Sequence, residues 1–166
     1  MESPDDLLGE LSRTMAALTT GGRVYVRTGR YTEAAADMGE LTAQIHELLV
    51  QVFEDESWRR FLSPAEPMPP RSIEASLEPV EGDAAAALLA SLASVDIVWP
   101  SHRLLDREVA LRTAAHAVSL LGDGATWWTN HDAHCGATNL VTPVFDSLVA
   151  GTDGEYYVMA LQVADD

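Results

Sequence analysis

Residues 156–163 constrain the fold most. Tyr157, Met159, Leu161 and Val163 alternate with Tyr156, Val158 and Ala160. An extended chain here is apolar on both faces. Such a strand is usually central in its sheet or covered on both sides. Just before it, Thr152-Asp153-Gly154 carries the Asp-Gly pair that tight type I′ hairpins prefer. Residues 139–150 are broadly apolar, so they are the natural partner strand. Residues 125–129, with Trp127 and Trp128, read as a further strand.

Helices must cover that sheet. Ser101 caps a predicted helix over 102–121, with Leu104, Leu111, Ala115 and Val118 as its buried stripe and Gly122 at its end. Asp83 opens an Ala- and Leu-rich helix over 84–93. Ile73, Ala75 and Leu77 alternate with polar residues, which predicts a half-exposed strand over 72–78 ending at Pro79.

The N-terminal part reads differently. Ser3 and Pro4 precede Leu8, Leu11, Met15 and Leu18, one face of a helix. Val24 and Val26 allow a short extended segment. Tyr31, Met38, Ile45 and Val52 then lie seven apart, with Ala34, Leu41 and Leu48 between them. This seam predicts an antiparallel helical hairpin with the first helix. It also offers a homodimer interface through residues 31–52. Four prolines between Pro64 and Pro70 can sustain neither helix nor central strand. The expected organisation is one compact domain made of a helical hairpin region at 1–62, a Pro-rich linker at 63–71, and a region of antiparallel sheet packed by helices at 72–166. The fold class is α+β.

Charge narrows the function. The chain has 26 acidic residues against ten basic ones, all arginine, for a net charge of −16. Phosphate backbones and anionic membranes are held by Lys and Arg, so direct nucleic-acid and membrane partners are not expected. Arginine without lysine also fits the coding bias of a GC-rich, bacterial type of genome. The acidic start lacks the basic and apolar regions of a signal peptide, and a lone Cys135 cannot form an internal disulfide. Both point to the cytoplasm.

Without lysine there is no Walker A phosphate loop and no Schiff base, and neither a Gly-x-Ser-x-Gly elbow nor a dinucleotide fingerprint occurs. One stretch concentrates reactive types, Trp127 to Gly136. His131, His134 and Cys135 are zinc-ligand types that Asp132 could join, and Cys135 with His131 or His134 could form a thiolate–base pair. Adjacent His134 and Cys135 tend to diverge, and no second Cys/His pair lies at a usual spacing. Arg23, Arg27 and Arg30 form the basic cluster, expected to offset nearby carboxylates.

The leading expectation is therefore a non-enzymatic interaction protein without a cofactor. It would bind a basic protein, as inhibitor, immunity, antitoxin or adaptor proteins do, or as a nucleic-acid mimic. Glu54, Asp55, Glu56 and Trp58 are its candidate contacts, with Trp99 as a further anchor. Trp58 and Trp99 also suit the core, which is the preferred place for both. The rivals are a small metal- or thiol-dependent enzyme centred on His131, His134 and Cys135, and an oligomeric structural component.

Overall fold

The computed structural model describes residues 3–33, 37–62, 66–132, 136–137, 140–141 and 145–164. It is α+β. Helix α1 (Pro4–Ala16) leads into β1 (Val24–Arg30), α2 (Met38–Glu54), α3 (Glu56–Leu62) and α4 (Pro70–Ser76). Strand β2 (Glu78–Val80), α5 (Gly82–Ser94) and α6 (Arg107–Leu121) follow. The chain ends in β3 (Thr126–Thr129), the short pair β4 (His131–Asp132) and β5 (Gly136–Ala137), then β6 (Phe145–Thr152) and β7 (Tyr156–Ala164).

Five strands form an antiparallel sheet in the order β1-β7-β6-β3-β2. Strand β7 lies between β1 and β6 and is buried throughout. Its two apolar faces serve two cores. Tyr157, Met159, Leu161 and Val163 pack with Leu41, Ile45, Leu48, Leu49 and Val52 of α2 and with residues of α3 and α4. Tyr156, Val158 and Ala160 pack with α1, α5 and α6. Each fully buried Leu or Ile contributes about 1.5–3 kcal/mol, so α2 alone is strongly anchored.

This arrangement corrects the expected hairpin of the first two helices. β1 intervenes between them, and α1 and α2 bury their stripes against opposite faces of the sheet. Of the heptad positions, Ala34 lies outside the described residues and Tyr31 precedes the helix; Leu41, Ile45, Leu48 and Val52, with Met38 partly buried, face β7. Leu41, Ile45, Leu48 and Val52 are fully buried within the chain, so that stripe is already covered. Helix α2 starts at an Asp37 cap, whose side chain accepts the Glu40 N–H at 3.2 Å. Tyr31 precedes it and packs its ring 5.1 Å from Tyr157. At α1, Ser3 and Asp6 form a reciprocal capping box, with Pro4 in the first turn.

Three other local expectations shift. The alternation over 72–78 is not a strand. Pro70 opens helix α4, and Ile73 and Leu77, four apart, are the residues its turn buries. Of the proline-rich stretch, residues 63–65 lie outside the described residues. Helix α6 begins five residues later than predicted, because the Asp106 carboxylate, not Ser101, accepts the N–H of Val109 at 3.1 Å. Its buried stripe is Ala110, Ala114, Ala117 and Leu121, while Leu111 is 42% exposed. These alanines face the alanines of α5, and small side chains let two helices approach closely. Finally, three residues, Asp153-Gly154-Glu155, separate β6 from β7. Gly154 takes φ 93°, and the Asp153 carboxylate accepts the N–H groups of Glu155 and Tyr156.

Candidate functional site

Of the reactive cluster, His131 and Asp132 form β4, paired with Gly136 and Ala137 of β5. His134 and Cys135 lie outside the described residues. Among the described residues, no group of three or more His, Cys, Asp and Glu side chains could hold a metal ion.

Beside this segment sits a buried polar knot. Asp146 is fully buried in β6. It accepts the Asn130 amide at 2.6 Å and the backbone N–H groups of Leu140 and Val141, both at 2.7 Å. Asn130 in turn accepts the Leu148 N–H at 2.9 Å, and the Thr129 hydroxyl donates to the Leu148 carbonyl at 2.7 Å. Burial pushes the Asp146 carboxyl up to about 7, although the three donors favour its ionised form. Closed off from solvent, this carboxyl is placed to fix the chain on either side of 131–139. The signal in the sequence is the single acid in the broadly apolar run 139–150.

The acidic run at 54–56 is divided in its roles. Glu54 and Glu56 are exposed. Asp55 accepts the Tyr25 hydroxyl at 2.7 Å and the Ser57 N–H at 2.9 Å. Those two bonds, the tyrosine's first, hold its carboxyl below the usual range, while burial and then Asp55 raise the Tyr25 hydroxyl. Trp58 is a core residue, 4% exposed, and its indole N–H donates to the Gly22 carbonyl at 2.8 Å. The Arg23 guanidinium lies over its ring, 5.7 Å from the centroid. Trp58 is therefore not accessible as an anchor. Trp99 departs from its expected core position: it is 56% exposed.

The basic cluster is dispersed along β1 and the residue just before it. Arg23 faces Asp96 at 3.7 Å, Arg27 donates to Gln44 at 2.9 Å, and Arg30 meets Glu155 at 2.7 Å. Among the described residues, the first and third of these are the arginine–carboxylate ion pairs. Most of the described acids are thus not neutralised by a neighbouring guanidinium.

A concentration of such acids lines a cleft of about 490 Å³ where edge strand β2 meets the start of α5 and the end of α6. Glu81, Asp83 and Asp123 are exposed around it, and Val118, Trp127 and Trp128 supply its apolar side. No arginine lines it. Glu78 and Pro79 occupy the neighbouring edge strand, a composition that discourages strand addition there. Comparison with known protein families, with curated proteins and with solved structures finds no match. Among the described residues, no helix is long and apolar enough to cross a membrane. Three exposed carboxylates around an indole make the cleft attractive to a cationic side chain, by charge and by contact with its apolar stem.

Proposed function

We propose that this chain is a non-enzymatic interaction protein that binds a basic protein partner, in the manner of an inhibitor, immunity, antitoxin or adaptor protein. The observation that supports it is the cleft at Glu81, Asp83 and Asp123, which concentrates negative charge without a lining cation. Opposite net charge accelerates encounter and aligns the partners, and the net charge of −16 acts in the same direction at longer range. Glu54 and Glu56 remain exposed and add to that field. Docking is assigned to the cleft, because Asp55 and Trp58 are engaged within the fold.

The test is affinity capture from the native host at low and moderate salt. The bait is either the wild type or the triple variant Glu81→Gln, Asp83→Asn, Asp123→Asn. A basic protein retained by the wild type, released as salt rises and lost with the variant supports the reading. Equal capture by both baits, or no salt-sensitive partner, overturns it.

A further inference from the structure

Residues 96–103 double back on themselves at the surface. The Asp96 N–H donates to the His102 carbonyl at 3.1 Å, and the His102 N–H donates to the Trp99 carbonyl at 2.8 Å. Val95 and Arg103 form an antiparallel bridge at the base. Two buried polar side chains support this turn. Asp96 is 2% exposed and accepts the N–H groups of Val98 and Trp99 at 2.8 and 2.9 Å. Gln162 of β7 is fully buried. It accepts the Ile97 N–H at 2.7 Å and donates to the carbonyls of Leu92 and Val95 at 2.6 and 2.7 Å.

Burying polar groups is costly unless they are fully bonded. Here the bonds are spent on ordering a surface connection. What that connection displays is Trp99, more than half exposed, next to Pro100. A single exposed apolar side chain is ordinary. A large aromatic on a rigidly supported turn is different, because it can enter a pocket without a further ordering cost.

The exposed ionisable side chains of the turn itself are His102 and Arg103; its one acid, Asp96, is buried beside Arg23, and the next acid along the chain is the exposed Asp106. The acidic cleft lies elsewhere. It adjoins β2 and β3, near the pairing of Trp127 with Gly151, whereas this turn hangs from Gln162 near the other end of β7.

We infer that residues 96–103 are a second docking element, in which Trp99 enters an apolar pocket of a partner protein whose rim presents carboxylates to Arg103. The rigid turn supplies the anchor, and the local arginine selects the sign of the rim. An anionic lipid surface would share this chemistry, but the net charge of the chain repels it. The inference stands apart from the acidic cleft and predicts the opposite sign of partner surface.

Selection of short displayed peptides on the immobilised full chain tests it. The expected winners combine Asp or Glu with an apolar residue. As free peptides they protect Trp99 from acrylamide quenching, and their affinity falls about tenfold or more in Trp99→Ala and in Arg103→Glu. Both positions are exposed, and an unchanged circular dichroism spectrum confirms the fold of each variant. Basic winners that bind Trp99→Ala as well as wild type belong to the acidic cleft; winners that need Trp99 but are basic, or a selection in which no acidic winner is enriched or depends on Trp99, overturn the inference. Co-sedimentation with phosphatidylserine vesicles that is lost in Trp99→Ala would assign the turn to lipid and also overturn it.

Discussion

Gly151 lies directly across from Trp127 in the β3–β6 ladder, and the indole occupies the space that a side chain at Gly151 would need. A Cβ there would sit 2.5 Å from the ring. Intrinsic preference alone favours Ala over Gly in a strand by roughly 0.5–1 kcal/mol. The clash outweighs it, since overfilling a packed site costs roughly 1–3 kcal/mol. Gly151→Ala is therefore expected to lower the urea midpoint. It should also alter tryptophan emission, because Trp127, buried between the sheet and α5, must move. A midpoint at or above wild type would show that the indole yields freely.

Asp146 sets a pH dependence of unusual sign for a carboxyl. Its ordinary value is 3.8, and burial raises it to about 7 in the fold. Between those two values the folded chain keeps a proton that the unfolded chain has released. Stability then falls as pH rises from about 4 to about 7 and is level in this respect above that. The full shift corresponds to a loss on the order of 4 kcal/mol across the window. Asp55 acts the other way. Its carboxyl is lowered by Tyr25 and Ser57, so its contribution is present above its unfolded value and is lost as pH falls through the folded one. Urea midpoints between pH 4 and 7 should fall in the wild type and flatten in Asp146→Asn. Parallel curves would remove Asp146 as the origin of the slope.

The two-sided strand at 156–163 was legible because alternation there has one reading: both faces need a cover, and both receive one. Periodicity also identified the buried face of α2. What it did not specify was the partner, since a seam that suits another helix suits a sheet equally well. Ile73 and Leu77 show a different ambiguity. Residues four apart share a face in a strand and also in a helix, and Pro70 decides between them. At the candidate site, the acids could be counted in the sequence, but their convergence depends on β2, α5 and α6 meeting at one corner. Trp58 and Trp99 look alike as residues, and only the Gly22 carbonyl and the Asp96 turn separate a core indole from a displayed one.

Gln162 is a sharper test of buried polar design. Its side chain satisfies the Ile97 N–H and two carbonyls at the end of α5. Leucine at this position fits the volume but leaves all three groups unpaired. Each buried orphan costs roughly 1–3 kcal/mol, so Gln162→Leu should destabilise the protein by several kcal/mol despite adding apolar surface. The Ile97 amide reports it locally. Its hydrogen exchange should be slow in wild type and fast in the variant. Slow exchange in both would mean that the turn holds itself.

The α5–α6 seam separates what leucines suggest from what alanines do. By sequence pattern, Leu111 belongs to the buried stripe of α6. In the fold it is 42% exposed, while Ala114 is fully buried toward α5. Leu111→Ala should therefore change stability by no more than about 0.5 kcal/mol, as surface substitutions do. Ala114→Leu adds three carbons where two helices meet through small side chains. That should cost roughly 1–3 kcal/mol, or more if the helices cannot separate. Thermal or urea midpoints of the two variants decide the matter by their order. If Leu111→Ala is the more damaging change, α6 presents the other face to the core.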